Sequence, residues 1–157
     1  MKLILSLIVT LFSVLYIHTA YCHTPNPAMD FLLKNNHYKQ QAISITDKIA
    51  SHTHSAGSTN HEGIAFAKNT AKAFADSLGF SEQQYSAAGT SHEEIVTLSD
   101  EIYRSYLGLI ANQKNNKRLE SEGKKPYPII KLLTESLREN LLDRRRKLKA
   151  ILSRLHR

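Results

Sequence analysis

IIKLLTESLRENLLDRRRKLKAILSRL, residues 129–155, is the stretch of sequence that decides the fold. Its apolar side chains recur at a spacing close to a heptad, which is typical of a long helix with one buried face. Arg144 interrupts this seam, and charged residues occupy most of the other positions. The seam consists of Ile130, Leu133, Leu137, Leu141, Leu148, Ile151 and Leu155.

A second long helix is predicted immediately upstream, from near Ser91 until the chain reaches Gly123. Its apolar stripe contains Ile95, Leu98, Ile102, Tyr106 and Leu109. Beyond residue 110 the chain becomes polar as far as Leu119, so we expect this end of the helix to be exposed or frayed. Residues 123–128, GKKPYP, form the clearest break, because glycine and proline terminate helices. The two long helices are therefore predicted to form a hairpin.

Two shorter helices are predicted before the hairpin, one over residues 27–51 and one over residues 60–78. Both show apolar side chains at helical spacing, and no segment alternates polar and apolar residues as a strand would. The fold class is therefore predicted to be all-α. We expect one domain over residues 23–157, a small four-helix bundle-like arrangement in which the shorter helices pack on the C-terminal hairpin.

A short sequence motif, Thr-[Asn/Ser]-His-Glu-x-Ile, occurs at Thr59 and again at Thr90. A threonine followed three residues later by glutamate is the signature of a capping box at a helix start. We interpret both copies as capping boxes, formed by Thr59 with Glu62 and by Thr90 with Glu93.

The first 22 residues are predicted to be a signal peptide. Lys2 precedes an apolar run from Leu3 to Ile17, which is short for a membrane-spanning helix. An uncleaved anchor and a lipid-modified Cys22 are the alternatives, and Cys22 is the only cysteine. We therefore expect a secreted or periplasmic protein that is held together without disulfide bonds.

Positive charge is concentrated at the C-terminus. Residues 123–157 contain 11 Lys/Arg and 3 Asp/Glu, whereas residues 23–122 contain 9 and 11. The basic helix predicted over residues 129–155 can dock an acidic protein or an anionic membrane surface. Nucleic acid is ranked below both, because the chain is predicted to be exported. A solvated helix end is the structural alternative, although the helix dipole favours cations only in its last turn. The candidate partner-binding residues are Arg144, Arg145, Arg146, Lys147, Lys149, Arg154 and Arg157.

Histidines and glutamates at the two predicted helix starts are weak candidates for a metal site. His61-Glu62 and His92-Glu93 resemble the start of a zinc-protease motif, but the second histidine of that motif is missing. Only if the two helix starts lay side by side could they bind a metal, together with the loop histidines. The candidate ligands are His52, His54, His61, Glu62, His92 and Glu93, and no cofactor is predicted.

Catalytic motifs are not found in the sequence, which contains no nucleophile elbow and no phosphate-binding glycine loop. We therefore predict a non-enzymatic interaction protein that uses its basic C-terminal helix. Two alternatives stay open: a precursor cleaved at Lys124-Lys125 or Arg144-Arg145-Arg146, and a metal-binding envelope protein. Leucines expected on the exposed side of the last helix would also suit a homo-oligomer.

Overall fold

Six α-helices form the part of the chain that the computed structural model describes, residues 26–51 and 61–157. No strand occurs within these residues, so the predicted all-α fold is confirmed. The predicted signal peptide and the predicted cap at Thr59 lie outside them. The helices are α1 (Pro27–Lys34), α2 (Asn36–Ser51), α3 (His61–Ser77), α4 (Glu82–Ala87), α5 (His92–Ser121) and α6 (Pro128–Leu155).

The two longest helices, α5 and α6, form the predicted hairpin. Gly123 has a φ of +71°, the left-handed conformation that glycine adopts most easily, and the N–H of Lys124 donates to the carbonyl of Leu119 at 2.8 Å. Across the hairpin, Asn112 Nδ2 donates to Thr134 Oγ1 at 3.2 Å. Nearer the C-terminus of α6, Arg144 forms an ion pair with Glu101 of α5. These contacts show that the two helices are antiparallel.

The apolar seam of α6 faces the core as predicted, but its interruption was assigned to the wrong arginine. Ile130, Leu141 and Leu148 are buried, and the residue between the last two that shares their face is Arg145, not Arg144. Arg145 lies four residues after Leu141 and three before Leu148, which places it on the same side of the helix. Its backbone carbonyl accepts a hydrogen bond from Asn26 Nδ2 at 3.4 Å.

The first predicted helix is wrong in one respect, because the structure divides it at Asn35. This residue has an extended ψ of 107°, and its Oδ1 accepts hydrogen bonds from the N–H groups of His37 at 3.1 Å and Tyr38 at 3.4 Å. Asparagine competes with helical backbone bonding in this way, and so it ends α1 and begins α2.

Two predictions about α5 are also corrected. Its N-cap is Ser91, whose Oγ accepts from the N–H of Glu94 at 3.1 Å, rather than Thr90, whose hydroxyl donates to the Glu94 carboxylate. The polar end of α5 is not frayed, since the helix continues to Ser121 and Leu119 is buried. The predicted sequence motif therefore places the helix start correctly but the capping residue one position too early.

The core lies between the hairpin and the N-terminal helices. Ile95, Ile102 and Tyr103 of α5 are fully buried, and the Tyr103 hydroxyl donates to the carbonyl of Ala28 at 2.7 Å. Burial raises the pKa of Tyr103 far above its ordinary value of 10.0. None of the described helices combines the length and the apolar character needed to cross a membrane.

Candidate interaction surface on the last helix

The seven basic residues at the end of α6 fall into three environments. Arg145 is buried and only 7% exposed, so it cannot contact a partner through this surface. Arg144 is partly buried and bonded within the fold. The other five are exposed: Arg146, Lys147, Lys149, Arg154 and Arg157.

Arg144 stabilises the hairpin instead of presenting a free charge. Its Nε forms an ion pair with Glu101 of α5, and a terminal guanidinium nitrogen lies 3.2 Å from Asp143 Oδ2. A partner would have to compete with both carboxylates for this guanidinium. Arg144 therefore belongs to the structural part of the predicted set.

Arg154 is also engaged, since its Nε donates to the backbone carbonyl of Ala88 at 3.0 Å. This contact joins the end of α6 to the residue that caps α4. Its charge is not neutralised, because a carbonyl carries none, but its side chain is held in one orientation. It lies at the edge of the exposed group.

The remaining four cations form the basic patch of the molecule, defined as Arg146, Lys147, Lys149 and Arg157. Lys147 lies 2.9 Å from Asp143 and lowers the pKa of that carboxyl. Within residues 26–51 and 61–157, no carboxylate lies at ion-pair distance from the other three. The patch thus carries excess positive charge that the described fold does not compensate.

The apolar side of the same helix is already used by the fold. Leu148, Ile151, Leu152 and Leu155 are all buried in the core. A helix that binds in a membrane interface must place its apolar face among the lipid chains. The end of α6 can offer a membrane only its cations, without inserted leucines.

Two acidic residues earlier on α6, Glu135 and Glu139, were not singled out from the sequence. Both are exposed, and neither has an ion pair within the described part of the chain. Glu139 lies seven residues before Arg146 and Glu135 lies eleven before it. These spacings are close to two and three helical turns of 3.6 residues, so all three side chains share one face of the helix. That spacing is the signal that could have identified them.

The weak metal candidates at the two helix starts, all of them described residues, are not brought together. Helices α3 and α5 are antiparallel, because a Cβ on Gly63 would lie 4.0 Å from Leu107, whereas Asp76 contacts His92 at 2.8 Å. The start of α3, with His61 and Glu62, is therefore about 20 Å from the start of α5, with His92 and Glu93, given a rise of 1.5 Å per residue.

His92 bonds to Asp76 at 2.8 Å, and Glu62 bonds to Lys48 at 2.7 Å. Within the described ranges, no group of three or more His, Cys, Asp or Glu residues is arranged to hold a metal ion. His52 and His54 lie outside the described residues.

The two candidate cleavage sites differ in accessibility. Lys124 and Lys125 lie in the exposed connection between α5 and α6. Arg144, Arg145 and Arg146 lie inside α6, and Arg145 is buried there. A protease would need to unwind the helix before it could bind this second site in an extended form.

Comparison of the chain with protein-family models, with curated proteins and with solved structures found no match. The interaction surface is therefore interpreted from its own geometry and charge.

Proposed function

We propose that this chain is an exported, non-enzymatic interaction protein whose basic patch docks an acidic protein partner. The observation that carries the proposal is the group of four exposed cations between residue 146 in α6 and residue 157 just beyond its end, three of which have no carboxylate at ion-pair distance among the described residues. Export rests on the predicted signal peptide.

An acidic protein is favoured over a membrane because no large apolar side chain is exposed among the cations. The solvent side between Arg146 and Arg157 presents Ala150 and Ser153, and it has no large apolar side chain to insert into lipid. Electrostatic attraction between these cations and an acidic partner would speed association and help to select the partner. Binding of this kind weakens with ionic strength, because exposed charges are screened over about 8 Å in 0.15 M salt.

The test measures binding of the full chain to poly-L-glutamate, with poly-L-glutamine as the neutral probe. Replacing Arg146, Lys147, Lys149 and Arg157 with glutamine is expected to weaken binding to poly-L-glutamate by at least about tenfold, since each exposed charge contact contributes up to about 1 kcal/mol. The matched control changes Lys34, Lys39, Lys68 and Lys72, four exposed lysines elsewhere, to glutamine.

The control removes the same net charge, so a loss of binding confined to the patch variant supports a local docking site. Equal losses in the two variants would show that only net charge matters and would contradict the proposal. Binding to anionic vesicles without binding to poly-L-glutamate would also overturn it and would favour a membrane surface instead.

A further inference from the structure

A stripe of seven residues runs along the solvent-exposed side of α6, beside its buried seam. Its members follow one another at alternating intervals of three and four residues, the spacing that keeps side chains on one face of a pairing helix. All seven are exposed, and Leu132 and Leu142 are 62% and 42% exposed. This outer stripe consists of Leu132, Glu135, Glu139, Leu142, Arg146, Lys149 and Ser153.

Charge is segregated along the outer stripe. Its first half is acidic, through Glu135 and Glu139, and its second half is basic, through Arg146 and Lys149. Leu142 lies at the boundary between them. None of these four charged residues has an ion pair within the described ranges.

We propose that the outer stripe pairs in an antiparallel manner with the outer stripe of a second copy of this chain. The inference rests on the proposed function, since it assigns a specific acidic partner to part of the basic patch. Antiparallel pairing about a twofold axis near Leu142 brings the acidic half of each copy against the basic half of the other. Such a contact is isologous, the commonest arrangement in dimers.

The register of the pairing follows from the positions of the charges. Glu139 and Arg146 are equally distant from the point between residues 142 and 143, and so are Leu132 and Ser153. Glu135 and Lys149 are centred within half a residue of the same point. Glu139 therefore meets the partner's Arg146, and Glu135 meets the partner's Lys149.

Parallel pairing is disfavoured by the same charges, because it would place glutamate against glutamate and arginine against arginine. The antiparallel arrangement forms four interchain ion pairs around two central leucines. At 1.5 Å per residue the stripe is about 32 Å long, which is enough for a continuous helix contact.

The exposed leucines acquire a role in this arrangement. Leu142 packs on its own copy at the axis, where it is removed from water, and Leu132 lies at the end of the contact. Lys147 and Arg157 lie beside the stripe and stay accessible to a further acidic partner. The pairing is expected to be salt-sensitive, since its charged contacts lie near solvent.

Charge reversal tests the inference by sedimentation velocity of the full chain. One variant carries Glu135→Lys and Glu139→Lys, and a second carries Arg146→Glu and Lys149→Glu. Each is expected to dissociate at least about tenfold more readily than the wild type, because two attractive contacts per copy become repulsive. All four positions are exposed, so circular dichroism should show unchanged helix content.

Restoration of pairing is the discriminating result. An equimolar mixture of the two variants is expected to form a heterodimer, and a chain that carries all four substitutions is expected to dimerise again. The matched control, Glu82→Lys with Glu93→Lys, changes two exposed glutamates outside the stripe and should leave the wild-type dimer unchanged.

A wild-type chain that sediments as a monomer up to about 100 µM would overturn the inference, since it would place any self-affinity outside the range of weak specific complexes. A dimer that survives both reversals would overturn it as well. The proposed function is judged separately with poly-L-glutamate. Glu135→Lys with Glu139→Lys retains the basic patch, so binding of that probe should persist while self-association is lost.

Discussion

The two halves of the α5–α6 hairpin are held together by different interactions. In the apolar half, residues 92–107 of α5 pack against residues 141–155 of α6, and the contact is dominated by side chains without exposed surface. Ile95, Ile102 and Leu148 are all fully buried there. The apolar half is therefore held together mainly by the packing of buried side chains from the two helices.

The polar half joins residues 108–121 of α5 to residues 128–138 of α6. Fewer apolar side chains are buried here, Leu119 and Ile130 among them. Asn112 donates to Thr134 across the hairpin at 3.2 Å, whereas Lys114 Nζ bonds α5 to α2, donating to Thr46 Oγ1 at 2.9 Å and to Asp47 Oδ1 at 2.6 Å. On the α6 side of this half, Leu132 is largely exposed.

The difference indicates where the stability of the hairpin is concentrated. Burial of one leucine contributes about 1.5–3 kcal/mol, whereas a hydrogen bond contributes about 1 kcal/mol net, since water competes for its partners. Local opening is therefore expected to begin in the polar half, at lower free energy than global unfolding. The docking proposed for the basic patch would therefore take place on the more stable half of the hairpin.

The largest effect is expected from Leu148→Ala in the apolar half. Leu148 is fully buried, and its truncation should lower the free energy of unfolding by about 2–5 kcal/mol, through lost burial and a residual cavity. Urea denaturation at a concentration where the chain is monomeric measures the change. Leu132→Ala on the same helix is the control, with an expected loss below about 0.5 kcal/mol. Equal losses would contradict the assignment of the core to one face of α6.

A smaller effect is expected from breaking the hydrogen bond of the polar half. Asn112→Ala should cost about 1 kcal/mol of unfolding free energy, and a double-mutant cycle with Thr134→Val isolates the pair. A coupling energy of about 0.5–1 kcal/mol is expected. Additive single effects would show that Asn112 and Thr134 are bonded to water instead of to each other.

Two helical glycines with different surroundings, Gly63 and Gly108, allow a paired test of the packing. A Cβ on Gly63 would meet Ile45 at 3.5 Å, an ordinary contact, and alanine favours a helix by up to about 1 kcal/mol. Gly63→Ala is therefore expected to raise the thermal unfolding midpoint. Gly108→Ala should raise it less or lower it, because its Cβ would lie 2.8 Å from Leu137 and that side chain must move. A larger gain at Gly108 would contradict the observed packing of the hairpin.

The helices themselves were predictable from local pattern. The expected ranges 60–78 and 129–155 agree closely with α3 and α6 because their apolar residues recur at helical spacing over many turns. The break at Asn35 was missed, since the apolar pattern continues across it while one side-chain cap redirects the backbone. Periodicity detects the buried face and not such local competition for hydrogen bonds.

Long-range contacts explain the remaining errors. The polar end of α5 was expected to fray, but Lys114 finds Thr46 and Asp47, which are more than 60 residues away in sequence. Of the predicted basic site, Arg146 and Lys149 lie on the exposed face, whereas Arg145 is buried. The sequence of three consecutive arginines gives their total charge. Which of them reaches solvent depends on the direction in which each side chain points around the helix axis.

Acid titration is expected to give the smallest effect, and one that both halves share. A hydrogen bond from Lys147 lowers the pKa of Asp143 below its ordinary value of 3.8, and a hydrogen bond from Lys124 lowers that of Glu122 below 4.5.

A carboxyl group whose pKa is lowered in the folded state contributes stability that is fully present above its unfolded pKa and is lost as the pH falls through its folded pKa. The contribution of these two carboxylates to the unfolding midpoint in urea should therefore be constant above about pH 5 and decline below it, with that of Glu122 starting to fall at the higher pH. Asp143→Asn and Glu122→Gln should each flatten part of the decline, and high salt should reduce the difference, since both carboxylates are exposed to solvent. A decline of equal size in the wild type and in both variants would show that the two ion pairs do not form in solution.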